Sequence, residues 1–399
     1  MQFQESEFCQ RIQPSETLAL TTLVAELRRQ GKSIIDLGAG EPDFDTPEDI
    51  KAAGIRAIRE GKTRYTPNVG TLALREAICR HLQTLGGPAY TPAQVVVSNG
   101  AKQAIHNALL ALCNPGDEVI VPAPYWVSYP EQVKMTGATP VFVPTEDATG
   151  FKITPAALAA AITPRTRLLI LNSPGNPTGA VYSVAELTAL AAIIREKQIF
   201  VLADEIYFKL VYRETQTCSL ACFPELREQL ILINGFSKAY AMTGWRLGYL
   251  AAPVAIARAA AKIQSHTTSN PCSISQEAGC AALAMDEQTL VAMRDEFERR
   301  RDFVHAAVNR MPGLSACLPG GAFYLFVNVS ALLGRRLFGQ TIAAPADLVK
   351  LLLEHAGVAL VGGEAFGSRQ HVRISYANSM ENLRTAMRRL EETLQQVEI

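Results

Sequence analysis

Leu168-Leu169-Ile170-Leu171, the turn-rich Asn172-Ser173-Pro174-Gly175-Asn176-Pro177-Thr178-Gly179, a helical stretch over Val184–Arg195, then Phe200-Val201-Leu202-Ala203 running into Asp204: this passage decides the fold. The two apolar runs show no polar alternation, so each reads as a strand covered on both faces. The helix between them is long enough to carry the chain back across a sheet, which makes the strands parallel.

The same texture extends in both directions. Further apolar runs occur at Val95–Val97, Val119–Val121, Val141–Val143, Ile231–Ile233 and Leu247–Ala251, and helical stretches at Ala101–Leu112, Trp126–Met135 and Pro155–Ile162. The fold class is therefore α/β, with a mostly parallel sheet flanked by helices. The last two runs lie too close together for a crossover helix, so one of them is expected to be antiparallel. This large domain is expected over residues 46–290. After a charged helix from Gln288 to about Val308 the texture changes to Leu318-Pro319-Gly320-Gly321-Ala322-Phe323-Tyr324-Leu325-Phe326, followed by helices around 345–356 and 380–397. Residues 1–45 and 291–399 together are expected to form a smaller α+β domain. Its N-terminal part offers a helix from about Thr17 to Gln30, a strand over Ile34–Leu37 and the turn Gly38-Ala39-Gly40-Glu41-Pro42-Asp43. The next helix is expected to start at Thr46-Pro47-Glu48-Asp49, with Thr46 as its cap.

Composition narrows the function. Of 399 residues, 48% are hydrophobic and 19% charged, enough for a large core and two domains. Lys and Arg number 38 and so do Asp and Glu, so no basic surplus points to nucleic acid or an anionic membrane. Six scattered histidines without an HExxH spacing give no metal site. The eight cysteines lie far apart except Cys218 and Cys222, the pattern of thiols in a reducing compartment, so a cytoplasmic location is expected. The acidic start, Met1 to Glu7, is not a signal peptide, and no apolar run reaches the roughly 18 residues of a membrane span.

In an open α/β sheet, ligands collect at the carboxyl ends of the strands, and several chemically capable residues fall there. Ser98-Asn99-Gly100-Ala101-Lys102 joins a strand to a helix, where backbone N–H groups and the helix dipole suit a phosphate; GxxxxGK[ST] is absent, and the turn alone is a weak signal. Gly38-x-Gly40 lacks the third glycine of a dinucleotide fingerprint. Asp204 ends a strand and is either a helix cap or a carboxylate that holds a proton on a heteroaromatic ring nitrogen. Asn176 is either a turn former or a donor to a ligand oxygen. Trp126 is either core or a stacking surface. Arg373, in His371-Val372-Arg373-Ile374-Ser375-Tyr376, is either a surface strand residue or a planar fork for a carboxylate. Lys238 follows an apolar run in uncharged surroundings. It is either exposed, as most lysines are, or buried as a nucleophilic amine suited to a Schiff base with an aldehyde.

Taken together these residues resemble the fold-type I pyridoxal-phosphate enzymes, and among them the class I aminotransferases, from Pro14-Ser15 to about Leu390. The motifs are Ser237-Lys238-x5-Gly244-Trp245-Arg246-x-Gly248-Tyr249, Asn176-Pro177-x-Gly179 and Asp204-x2-Tyr207. Gly40-Glu41-Pro42-Asp43-Phe44, Gly100-Ala101-Lys102-Gln103 and Pro124-Tyr125-Trp126-Val127-Ser128-Tyr129 are similar to the Ib subgroup of bacterial aspartate aminotransferases.

The resemblance implies pyridoxal 5'-phosphate as cofactor and a role for each residue. Lys238 joins the cofactor aldehyde and, once displaced, moves the substrate Cα proton. Asp204 keeps the ring nitrogen protonated. Tyr207 and Asn176 bond the ring hydroxyl oxygen, and Trp126 stacks on the ring. The N–H groups of Gly100, Ala101 and Lys102, with Arg246, hold the phosphate, and Ser237 lies beside it. Tyr65 reaches the phosphate from a neighbouring subunit of a homodimer. Arg373 takes the substrate α-carboxylate, beside Gly40 and Asn176. Lys102, near Ser15 and Thr17, takes a distal carboxylate. Two positions depart from the pattern: Gly235 stands where many relatives carry a hydroxyl, and Gln13 stands where relatives that accept prephenate often carry a basic residue.

The implied reaction is exchange of the amino group of L-aspartate with 2-oxoglutarate by a ping-pong cycle. A dual aspartate/prephenate (arogenate-forming) or aromatic aminotransferase is the nearest alternative. A β-lyase would use the same cofactor differently. A non-catalytic regulator on this fold would carry an added DNA-binding module, and the sequence has no basic stretch for one.

Overall fold

The seven apolar runs pair into one sheet in the computed structural model, which describes residues 3–398; Met1 and Gln2 of the acidic start, and Ile399, lie outside the described residues. The strands are β1 (Val95–Ser98), β2 (Glu118–Ala123), β3 (Thr139–Pro144), β4 (Thr166–Asn172), β5 (Phe200–Asp204), β6 (Leu230–Gly235) and β7 (Gly248–Ala251). Their order is β1-β7-β6-β5-β4-β2-β3. Every neighbouring pair is parallel except those made by β7, which runs antiparallel to both β1 and β6. The connection of twelve residues between β6 and β7 is filled by the Lys238 loop, which is too short to return the chain to the far end of the sheet.

Successive strand residues enter two different cores. Val95, Val97, Leu169, Leu171, Val201 and Leu232 pack on one face. Val96, Leu168, Ile170, Leu202, Ile231 and Ile233 pack on the other. Burial on both faces is why these runs carry no polar alternation. Each fully buried Leu, Ile or Val contributes about 1.5–3 kcal/mol relative to exposure.

A second sheet, wholly antiparallel, contains β8 (Ser315–Ala316), β9 (Tyr324–Asn328), β10 (Val361–Gly362) and β11 (His371–Ser375) in the order β10-β11-β9-β8. Its core joins Leu325, Val327, Val372 and Ile374 to Phe297 and Val304 of the long helix Glu287–Val308, and to Leu348, Leu351, Leu383 and Leu390 of two later helices. The N-terminal segment is stitched to this part by Ile35–Asp36, which pairs in parallel with Val358–Ala359. Ile206, Tyr207, Leu210 and Tyr212, just after β5, also pack in this second core.

Three local expectations change. Thr46 does not cap its helix: Pro47 occupies the N-cap of Glu48–Arg59. The Thr46 hydroxyl instead donates to the Ala241 carbonyl at 2.6 Å and accepts from the Trp245 indole at 3.1 Å. A long-range partner has taken the hydroxyl that a local cap would have used. Trp126 lies two residues before its helix, Ser128–Met135, rather than starting it. The last helix, Met380–Leu394, stops short of 397, because Val397–Glu398 pairs with Arg336–Leu337. Among the described residues no helix is long and apolar enough to cross a membrane, and no group of three or more His, Cys, Asp or Glu is placed to hold a metal ion.

Candidate active site

A cavity of about 310 Å³ opens at the carboxyl ends of β4 and β5, between the two sheets. Lys238, Asp204, Tyr207, Trp126, Asn176, Ala101, Lys102, Ser237, Arg246, Gly40, Thr17 and Arg373 all line it. Twelve residues expected from the sequence thus converge on one space.

One end is built on the start of the helix Ala101–Leu112. Gly100 has φ +83°, and a Cβ there would lie 2.5 Å from Arg246 Nη2, so only glycine lets the arginine close on this turn. The Gly100 N–H donates to the Ser98 carbonyl at 2.7 Å. The first-turn N–H groups of Ala101 and Lys102 have no intrahelical partner, and both residues line the cavity. The helix sits hard against Gly248, where a Cβ would be 2.3 Å from Ala101 N. Gly248 pairs with Gly235 in the β6–β7 ladder, and a Cβ on Gly235 would fall 2.9 Å from Gly248 Cα. The missing hydroxyl at position 235 therefore has a steric cause.

Asp204 forms the floor. Tyr129 Oη donates to its Oδ2 at 2.7 Å, and the Ile206 N–H donates to Oδ1 at 3.1 Å. Burial raises this carboxyl to about 6, against the two donors and Lys238, which favour the charged form. A cation or N–H placed over it would restore full ionisation. Tyr129 packs edge-on to Trp126, with ring centroids 5.2 Å apart.

Lys238 reaches from the β6–β7 loop and donates to the Gly40 carbonyl. Burial lowers its amine to about 8; Glu41 and Asp204 oppose this, while Arg373 and Arg246 add to it. At pH 7 about a tenth is then an uncharged nucleophile, far more than for an ordinary lysine. The Tyr207 hydroxyl is 2.8 Å from that of Tyr324, and both are buried.

At the other end Arg373 is 2% exposed. Its Nη1 donates to Asn176 Oδ1 at 2.9 Å and its Nη2 to the Gly38 carbonyl at 2.6 Å, and its Nε has no partner. The rings of Tyr324 and Phe366 lie 4.6 and 4.8 Å from the guanidinium carbon. None of these partners carries a formal negative charge. Lys102 Nζ sits 4.9 Å over the Trp126 ring, and burial together with Arg246 lowers its pKa. Ser15 lies outside the cavity, bonded to Thr17 at 3.0 Å. It lines an adjoining space that shares Lys102. Tyr65 is 92% exposed and absent from the cavity of its own chain.

Tyr129 and Tyr324 were not singled out from the sequence. Both lay within quoted motifs, Tyr129 three residues after Trp126 and Tyr324 beside Phe323, but only the tertiary structure gives their hydroxyls partners. Thr243 also lines the cavity and donates to Glu41 at 2.9 Å, a contact with no local sequence signal.

Fold and cavity define an α/β protein with a site for a small anionic ligand, holding a nucleophilic amine and a buried carboxylate. The family model Aminotransferase class I and II matches residues 32–390, and the chain belongs to this family. It is 48% identical over 389 residues, covering 97% of each chain, to a protein of Cereibacter sphaeroides named aspartate/prephenate aminotransferase. Its fold matches the crystal structure of the aspartate aminotransferase of Rhizobium meliloti with a TM-score of 0.96 at 41% identity, covering 100% of both chains. It matches the Thermus thermophilus aspartate aminotransferase with maleate at 0.92 and 41%, covering 98% of this chain and 100% of that one.

Pyridoxal phosphate is the cofactor of this family. The residues present fit it. The glycine turn and Arg246 make an anion cradle, Asp204 offers a buried acceptor, and Lys238 offers an amine within the same space.

Proposed function

We propose that this chain transfers the amino group of L-aspartate to 2-oxoglutarate, giving oxaloacetate and L-glutamate. One observation carries this reading: Arg373, buried and bonded only to neutral acceptors, faces a cavity that Lys102 and Arg246 also line. A buried guanidinium without a carboxylate is costly, by several kcal/mol, unless a ligand supplies the anion. A dicarboxylic amino acid offers one carboxylate to Arg373 and the second to Lys102, with Ser15 and Thr17 beside it. The relatives' names support the same substrate.

Pyridoxal phosphate, when bound, supplies an aldehyde and a ring that draws electrons from the substrate Cα. Gly100, Ala101 and Lys102 N–H groups and Arg246 would hold its phosphate, Trp126 its ring face, and Tyr207 and Asn176 its hydroxyl oxygen. Asp204 would hold a proton on its ring nitrogen. Lys238 Nζ is the base that takes the proton from the substrate Cα, and its lowered pKa leaves it free to do so. Gly40, whose carbonyl accepts from Lys238, lines the cavity and would sit beside the substrate.

In this reading the protein is a cytoplasmic homodimer, with a large domain over 46–290 and a small one from 1–45 and 291–399. Eight unpaired cysteines support the reducing compartment. Tyr65, with the exposed apolar residues Ile55, Ile58 and Leu72 in the same stretch, supports a subunit interface across which Tyr65 reaches the neighbouring site.

A half-reaction screen tests the function. The loaded enzyme is mixed with aspartate, glutamate, arogenate, phenylalanine or alanine, and absorbance follows conversion to the pyridoxamine form. Fast conversion by aspartate and glutamate alone is expected. Equal speed with arogenate would establish the dual aspartate/prephenate reading, which the name of the Cereibacter sphaeroides relative favours. A return to the starting spectrum after each addition would replace transamination with β-elimination.

A further inference from the structure

Outside the cavity, a buried imidazole ties the turn after β3 to the strand that carries Arg373. His371 opens β11, pairs with Asn328 of β9 and is 5% exposed. Its Nε2 lies 3.0 Å from Asp147 Oδ2 and its Nδ1 2.7 Å from Ser368 Oγ. Asn328 donates to the same Asp147 oxygen at 3.2 Å. The ring stacks on Phe326 at 4.7 Å and takes the Phe151 ring at 5.3 Å, nearly perpendicular. Asp147 belongs to the short 3₁₀ turn Asp147–Thr149 after β3, the edge strand of the large sheet. This one side chain therefore links the smaller sheet to the turn that follows the edge strand of the large one. A neutral imidazole satisfies every partner here, with Nε2–H donating to Asp147 and Nδ1 accepting from the Ser368 hydroxyl.

The connection to Arg373 is short. Residues 371 and 373 share one face of β11. Phe326, under the imidazole, is the register partner of Arg373 across the ladder. Phe326 also meets Phe366 at 6.0 Å, and Phe366 lies under the guanidinium at 4.8 Å. Arg373 has no ion-pair partner of its own to fix it, and its Nε is unbonded. A fork that grips a carboxylate with two bonds tolerates only about 0.5 Å and 10–20° of error.

We infer that His371, held by Asp147, is a positioning residue that sets Arg373 for the substrate α-carboxylate. The inference rests on the reading of Arg373 given above. His371→Ala and Asp147→Ala should each raise KM for aspartate, alanine and 2-oxoglutarate alike by about tenfold, with kcat held within about twofold. The shared α-carboxylate makes the loss independent of the side chain. His371→Gln, which keeps a donor toward Asp147, should recover most of it. The double variant should be little worse than either single one. Arg373→Gln is measured beside them, with thermal midpoints for all. If Arg373→Gln leaves KM unchanged, the assignment of Arg373 fails and the inference with it. If Arg373→Gln raises KM while His371→Ala and Asp147→Ala lower only the thermal midpoint, the brace is packing alone and the inference is overturned. Should His371→Ala not fold, Asp147→Ala on its half-buried turn decides by the same criterion.

Discussion

The two ends of the cavity are built on opposite plans. At the Asp204 end, the buried carboxylate already has two donors, the Tyr129 hydroxyl and the Ile206 N–H, and Arg246 Nη1 donates to the Thr243 carbonyl of its own loop. At the Arg373 end, the contacts join residues 335 and 197 positions apart, and one guanidinium nitrogen has no partner. The carboxylate of the first end is preorganised by its own donors. The second is assembled from distant segments and lacks an anion. Chemistry belongs where geometry is fixed, and discrimination belongs where a ligand completes the charge balance.

Substitutions at the two ends should therefore differ in kind. The largest effect is expected from Lys238→Ala, with turnover falling ~10⁴-fold or more, since both the amine and the base are lost. Single-turnover conversion by aspartate measures it, and near-normal conversion would remove Lys238 from the chemistry. Next comes Lys102→Ala, which should cut kcat/KM for aspartate and glutamate by about 10- to 100-fold and spare alanine, because only the distal charge is lost. An equal loss on all three would take Lys102 out of the distal site and dissolve the contrast between the ends.

Gly235→Ser should destabilise by about 1–3 kcal/mol instead of tightening phosphate binding, because its Cβ meets the Gly248 backbone. Thermal melting and a cofactor titration together test this; tighter binding with no loss of stability would show that the glycine pair yields. The smallest effect is expected from Tyr129→Phe. Loss of its donor disfavours the charged carboxylate, so the pKa of Asp204 should rise above its present value of about 6. Cofactor affinity requires ionised Asp204 and should then start to fall at higher pH than in the parent. Binding curves that coincide at pH 5.5 and 8 would show that Tyr129 does not tune the floor.

The same contrast explains how far the sequence could be read. Strand runs such as Phe200–Ala203 and the turns that follow them carry both fold and chemistry locally, so Asp204 and Lys238 fall at strand ends on the sequence alone, while the Gly100 turn is a weak signal by itself. Arg373 is open to a second reading, because alternation in His371–Ser375 resembles an exposed strand, whereas all five residues are buried. The cap expected of Thr46 fails, and the roles of Tyr129 and Tyr324 leave no local signal, because each finds its partner across 75 to 195 residues of chain. Such pairings depend on how the sheets meet, which no short window of sequence records.

The chain has two tryptophans, and the structure separates their environments. Trp126 lines the cavity under Lys102, while Trp245 faces away from it, its indole bonded to Thr46 and its ring against Gly54. Emission from this protein is therefore a two-channel signal. One indole reports directly on what fills the site, and the other reports on whether the helix Glu48–Arg59 remains packed, so ligand occupancy and release of that helix can be followed optically without attaching a dye.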